Sequence, residues 1–370
     1  MDVDWVKRAR PAVQAIQPYV PGKPLEEAQR ELGLASLVKL ASNENPYGPS
    51  QKVLDAVADM LPACNRYPDG NGFYLKALLA EKHAVAPASI TLGNGSNDIL
   101  ELVASAFLEP GTNAIYAEYA FIIYALAVAR SAAEARVAPA KNYAHDLDAI
   151  LAKVDERTRV IYLANPNNPT GTYFSQAALQ GFIQALPRSV IVVLDEAYFE
   201  YVEAVDYSNG LALQQQFENL LVTRTFSKAY GLSGFRVGYS ISHPAIADVL
   251  NRVRQPFNVA SPSLLAAQIA LSDGDYLQRA VACNNAGMQQ LCAGLREMGL
   301  AFIPSVANFV TFDAGEHAAQ INQQLLQRGV IVRPVANYAM PRHLRVSIGL
   351  EEENRKFLDA LALVLQAQKN

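Results

Sequence analysis

Short apolar runs alternate with segments of helical periodicity from about residue 50 to about residue 270. Ile90-Thr91-Leu92, Val160-Ile161-Tyr162-Leu163, Val190-Ile191-Val192-Val193-Leu194 and Leu220-Leu221-Val222 read as buried strands. Residues 51–60, 72–83, 96–107 and 262–271 carry helical spacing of apolar positions. Strands and helices taken in turn predict an α/β fold whose mostly parallel sheet is covered by helices on both faces. The layout then changes. A long helical stretch over 276–298 is followed by strands near Phe302, Phe309, Val330 and Leu344, and by a last helix over 351–367. A chain of 370 residues is long for one compact domain. The change of pattern predicts a large domain over 42–275 and a smaller α+β domain from 1–41 with 276–370.

Chemistry-bearing residues follow the apolar runs. The run ending at Leu163 leads into Ala164-Asn165-Pro166-Asn167-Asn168-Pro169-Thr170-Gly171, the one ending at Leu194 into Asp195-Glu196-Ala197-Tyr198, and the one ending at Val222 into Thr225-Phe226-Ser227-Lys228, with Arg236 beyond. Open α/β sheets bind ligands outside the carboxyl ends of their strands. The groups delivered there are a lysine amine, a carboxylate, a phenol, a carboxamide and an arginine, the set that pyridoxal phosphate requires of a protein. The Lys228 amine would condense with the cofactor aldehyde and later move the substrate α-proton. Asp195 would face the pyridine nitrogen and keep it protonated. Tyr198 and Asn168 would hydrogen-bond the ring phenolate. Arg236, with the hydroxyls of Thr225 and Ser227, would hold the phosphate. Gly95-Ser96-Asn97, between a strand and a helix start, offers a glycine turn and free N–H groups to the same phosphate, a weak signal by itself.

Together, Asn168-Pro169-Thr170-Gly171, Asp195-x-x-Tyr198 and Ser227-Lys228 with Arg236 resemble the fold-type I, pyridoxal-phosphate-dependent aminotransferases. Within these the chain is similar to the histidinol-phosphate aminotransferases, through the stretches 40–49, Arg66-Tyr67-Pro68-Asp69, Ala307-Asn308-Phe309-Val310, 329–334 and 344–349. The resemblance implies further roles. Tyr124 would stack on the cofactor ring, with Phe121 as the alternative. Tyr67 would reach the phosphate of a neighbouring subunit's cofactor, which implies a homodimer with shared sites. Arg345 would receive the substrate carboxylate and Arg333 a second anionic group. Tyr19 would close over the substrate, and an imidazole pocket would involve Tyr19 and Asn43. The implied substrates are histidinol phosphate and glutamate or 2-oxoglutarate. Two arginines suit such a pair, because guanidinium forks bind carboxylate and phosphate alike.

Composition narrows the alternatives. A net charge of −4 argues against nucleic acid or an anionic membrane surface as partner. Cys64, Cys283 and Cys292 make no Cys-x-x-Cys pair, and the 5 histidines show no metal-ligand spacing, so no metal is expected. The N-terminus lacks the apolar run of a signal peptide, and the longest uncharged apolar stretch, 119–129, is too short for a bilayer; a cytoplasmic protein is expected. The same cofactor ligands would also serve an aromatic amino-acid aminotransferase or a threonine-phosphate decarboxylase-like enzyme. A non-catalytic cofactor-binding regulator is disfavoured, because no DNA-binding segment accompanies the aminotransferase pattern.

Overall fold

The structure, a computed structural model, describes residues 3–18, 27, 29–30, 33, 37–207 and 209–368. Its centre is a seven-stranded sheet of β1 (Ile90–Gly93), β2 (Asn113–Ala117), β3 (Glu134–Ala138), β4 (Thr158–Ala164), β5 (Ile191–Asp195), β6 (Leu220–Thr225) and β7 (Gly238–Ile241). The spatial order is β1-β7-β6-β5-β4-β2-β3, and only β7 runs antiparallel to its neighbours. The α/β class predicted from the alternating pattern is the class observed. β5 and β6 are buried at every position, which is why they read as continuous apolar runs rather than as alternating ones.

Side chains of opposite parity on these strands feed two separate cores. Ile161, Leu163, Val192, Leu194, Leu220 and Val222 pack on one face, where the helices α1 (Gln51–Met60), α2 (Phe73–His83) and α7 (Ser261–Ser272) lie. Val160, Tyr162, Ile191, Val193 and Leu221 pack on the other, against α3 (Ser96–Phe107), α4 (Ile122–Arg130) and α6 (Pro244–Val253). α5 (Gln176–Ala185) lies between β4 and β5 in the chain. Starts are marked locally: Ser50 caps α1 by accepting from the Val53 N–H, and Ser175 caps α5 through the Ala178 N–H.

A second, four-stranded antiparallel sheet holds β8 (Phe302–Ile303), β9 (Phe309–Asp313), β10 (Arg333–Pro334) and β11 (His343–Ser347) in the order β8-β9-β11-β10. Val310, Phe312, Leu344 and Val346 form a core with α8 (Gly274–Glu297), α9 (Ala318–Gln327) and α10 (Glu351–Ala367). Leu40 enters that core from far upstream, because Val38–Lys39 pairs in parallel with Val330–Ile331. Each fully buried leucine or phenylalanine contributes about 1.5–3 kcal/mol relative to an exposed one. No helix among the described residues is long and apolar enough to cross a membrane.

Candidate active site

Ala164, Asp195 and Thr223 stand in register across β4, β5 and β6, so the turns that follow these strands open at one level. A cavity of about 180 Å³ lies there, walled by Ser96, Asn97, Phe121, Asn168, Asp195, Tyr198, Thr225, Ser227, Lys228 and Arg236. The second sheet adds Arg333, Arg345 and nearby Tyr338, and the segment after Val38–Lys39 adds Ser42 and Asn43. The structure thus brings thirteen of the residues singled out in the sequence to the wall of one cavity.

At the centre, Lys228 Nζ donates to the Ser42 carbonyl at 3.1 Å. Burial lowers its proton affinity, helped by Arg345 and Arg236 and opposed by Glu44 and Asp195, so that the amine titrates at about 8. Asp195 is buried and accepts from the Tyr124 hydroxyl through Oδ2 at 2.9 Å, while Oδ1 has no hydrogen-bond partner among the described residues. Burial raises this carboxyl to about 6, against the bonds from Tyr124 and the Ala197 N–H. Tyr198 accepts from Asn43 Nδ2 at 3.0 Å, and burial keeps its phenol neutral, with a pKa pushed up to about 12. Arg345 donates to Asn168 Oδ1 and to the Ala41 carbonyl, with its guanidinium 5.2 Å from the centre of the Phe309 ring.

One end of the cavity is a cradle of N–H groups. α3 begins at Ser96 after Gly95, and no side chain caps it. Arg236 donates to the Ser227 hydroxyl at 3.3 Å, and Thr225 Oγ1 to the same hydroxyl at 3.0 Å. Two glycines keep this end open. Gly95 has φ +80°, and a Cβ there would sit 2.5 Å from the Arg236 guanidinium. A Cβ on Gly238, the first residue of β7, would sit 2.5 Å from the Ser96 backbone nitrogen.

The other end carries two arginines. Arg333 on β10 and Arg345 on β11 are register partners on neighbouring strands. Their register brings two positive charges side by side at this end of the cavity.

Three expectations need separate comment. Tyr124 does not stack on anything in the cavity; it is fully buried, 5.0 Å from Tyr162 in a parallel stack, and its hydroxyl is spent on Asp195. Of the two, Phe121 is the one on the cavity wall. Phe121 flanks α4 at its N-terminus, and Tyr124, a turn further in, lies behind it rather than on the wall. Tyr67 is 83% exposed and stacks on Phe257, away from this cavity. Tyr19 lies outside the described residues.

Sequence reasoning missed a buried ion pair directly behind the site. Arg224 donates to Glu196 Oε2 at 2.9 and 2.8 Å, the Gly210 N–H to Oε1 at 2.8 Å, and the guanidinium lies 3.5 Å from the Phe199 ring centre. It clips the ends of β5 and β6 together on the face opposite the cavity. Adjacent charged residues at strand ends read as solvent-exposed; the strand alternation that turns Asp195 one way and Glu196 the other was the available signal.

Fold and site together define an aminotransferase-type α/β protein. The family described as aminotransferase class I and II matches residues 35–361. Histidinol-phosphate aminotransferase 2 of Pseudomonas fluorescens is 58% identical over 367 residues, covering 99% of each chain. The protein of the same name from Pseudomonas aeruginosa is 55% identical, covering 98% of this chain and 99% of that one. Among solved structures, histidinol-phosphate aminotransferase from Sinorhizobium meliloti in complex with pyridoxal-5'-phosphate superposes with a TM-score of 0.90 at 30% identity, covering 98% of each chain. An aspartate aminotransferase of Thermus thermophilus, 23% identical with a TM-score of 0.83, shares the fold. The chain belongs to the class I and II aminotransferases and, within them, to the histidinol-phosphate aminotransferase family.

Proposed function

We propose that this chain is a pyridoxal-phosphate-dependent aminotransferase of histidine biosynthesis, moving an amino group between L-histidinol phosphate and 2-oxoglutarate to give imidazole-acetol phosphate and L-glutamate. The observation that carries it is one cavity holding a buried lysine amine, a buried carboxylate with one unbonded oxygen, and a register-paired couple of arginines. The names of the relatives that align along nearly the whole chain support the same substrate.

The residues fit the cofactor. Asp195 Oδ1, buried without a partner among the described residues, suits the N–H of a pyridinium ring. The uncapped start of α3 at Ser96 and Asn97, kept open by Gly95 and Gly238, suits a phosphate, with Arg236, Ser227 and Thr225 around it. Phe121 offers a face for the ring. Tyr198, neutral at physiological pH, and Asn168, whose Oδ1 already accepts from Arg345, have donors left for the ring oxygen.

When bound, the cofactor supplies an electron sink for the carbanion formed at the substrate Cα. The chain's own residues do the rest. Lys228 Nζ would hold the aldehyde until the substrate amine takes its place and, then a free amine of low proton affinity for a lysine, would carry the proton away from the substrate Cα. Asp195 holds the pyridine proton in place. Arg345 orients the carboxylate of glutamate, and Arg333 takes the second carboxylate or the phosphate of histidinol phosphate. Asn43 steadies Tyr198. The division into 42–275 and 1–41 with 276–370 makes the cavity a cleft between domains.

The protein acts on small molecules, and we further propose a cytoplasmic homodimer. Exposed Tyr67, Phe73, Tyr74 and Phe257, with Tyr67 stacked on Phe257 and Phe73 edge-on to Tyr74, form an apolar surface suited to a second copy. Tyr67 would then serve the neighbour's cofactor phosphate.

The deciding experiment is kcat/KM for L-histidinol phosphate and for L-phenylalanine, each with 2-oxoglutarate. A preference for histidinol phosphate of about a hundred-fold or more, equal to about 2.7 kcal/mol, supports the assignment. Comparable values make the chain a broad or aromatic aminotransferase and remove the pathway assignment.

A further inference from the structure

Tyr124 has no place in the proposed chemistry, yet it is the only side chain seen to bond the Asp195 carboxylate among the described residues. Its ring is fully buried and lies 5.0 Å from Tyr162 at an interplanar angle of 9°. Tyr162 is fixed in turn, its hydroxyl donating to the Leu100 carbonyl at 3.1 Å. Tyr124 also meets the Phe121 ring edge-on at 5.9 Å, so the cavity wall and the prop behind the carboxylate are touching rings at the start of α4.

We propose that Tyr124 is a positioning residue: its hydroxyl engages Asp195 Oδ2, aims Oδ1 at the cofactor nitrogen and keeps the carboxylate charged. This rests on the pyridoxal-phosphate reading given above. The physical argument is a balance at one carboxyl group. Burial favours the neutral acid, and the neighbouring Glu196 carboxylate pushes the same way. Against them stand the Tyr124 hydroxyl, the Ala197 N–H and the charge of Lys228. The remaining titratable groups that face it, Tyr198 and Tyr207, are phenols held neutral by burial. A donor to the ionised form lowers a carboxyl pKa, so losing the hydroxyl raises it. Asp195 already titrates near the physiological range, and a further rise would leave it protonated and unable to hold a proton on the ring nitrogen.

The test uses the full-length protein stripped of cofactor, with the dissociation constant of pyridoxal phosphate measured from pH 5.5 to 9. Tyr124→Phe preserves ring volume and the Tyr162 stack, so its Tm should stay close to that of the parent. Its affinity should fall about ten-fold at neutral pH, and the acid-side midpoint of binding should move up by about one pH unit. Tyr162→Phe removes a hydroxyl from the same stack but not from the carboxylate, and its midpoint should not move. Replacing Tyr124 with 3-fluorotyrosine, nearly the same shape with a more acidic phenol, should move the midpoint down. An unchanged midpoint in both Tyr124 variants, or an equal shift in Tyr162→Phe, overturns the proposal. If Tyr124→Phe fails to fold, the fluorotyrosine protein decides alone. A parent protein that binds no pyridoxal phosphate, or binds it without a borohydride-fixable bond to Lys228, would instead overturn the cofactor reading.

Discussion

An ordinary lysine amine is protonated at neutral pH and a poor nucleophile, whereas burial and two nearby guanidiniums bring Lys228 to about 8. The rate at which pyridoxal phosphate attaches covalently to the stripped protein should therefore rise with pH through a midpoint near 8, as followed by stopped-flow absorbance. Arg345→Gln should move that midpoint upward, because it removes a positive charge that disfavours the ammonium form. Lys228→Ala should abolish borohydride-fixable attachment altogether. Asp195 has the opposite linkage. Its native pKa of about 6 lies above that of a free aspartate, so native protein binds a proton more tightly than unfolded chain. Stability of the cofactor-free protein should thus fall as pH rises from about 4 to about 6, and stay low above that. Asp195→Asn should raise the Tm of the cofactor-free protein at pH 8 while weakening cofactor binding, a calorimetric and binding measurement that separates the two effects. At this scale the sequence was informative wherever a residue's type is its chemistry: Lys228, Asp195, Tyr198 and Arg236 follow apolar runs and could be read in order. Phe121 and Tyr124 could not be separated, since both are aromatic and only the point where α4 begins tells which one faces the cavity.

Elements hold the site as much as side chains do. β7 runs antiparallel between β1 and β6, and Gly238 at its start lets it pass beside the first N–H groups of α3. Gly238→Ala places a methyl against backbone, which cannot swing aside; a loss of about 1–3 kcal/mol in stability is expected, read from urea unfolding, together with at least about ten-fold weaker cofactor binding, read from a fluorescence titration. The Arg224–Glu196 pair ties β5 to β6 at the level of the cavity floor. Arg224→Met should cost about 3–5 kcal/mol, because Glu196 would be left buried and unpaired, and adding Glu196→Leu should recover much of that loss. β2 and β3 gave no apolar run that stood out, whereas β1, β4, β5 and β6 and the helices α1, α2, α3 and α7 were legible from regular apolar runs and periods. β7 was not, since Gly238-Tyr239-Ser240-Ile241 is short and half polar; its place is set by pairing, not by composition.

Taken as a whole, the molecule presents aromatic rings to solvent around Tyr67, Phe73 and Tyr74, which a lone chain of this size has little reason to expose. Phe73→Asp should shift the protein toward monomer in sedimentation equilibrium and weaken cofactor binding in the same variant, because Tyr67 would no longer reach a neighbour's phosphate. A variant that turns monomeric yet binds cofactor as before would separate the surface from the shared-site idea.

The pairing of Val38–Lys39 with Val330–Ile331 has a consequence for how the chain is made. All strands of the seven-stranded sheet have left the ribosome once Ile241 has emerged, so that sheet can close during translation. The early segment around Leu40 must wait, its apolar side chains unprotected, until residues near 330 arrive to receive it. Ser42 and Asn43, which follow that segment, and Arg333 and Arg345, which follow its partner strand, reach the cavity through the same late event. A nascent chain whose sheet closes early would hold Lys228 and Asp195 in place before Ser42, Asn43, Arg333 and Arg345 could join them in one cavity.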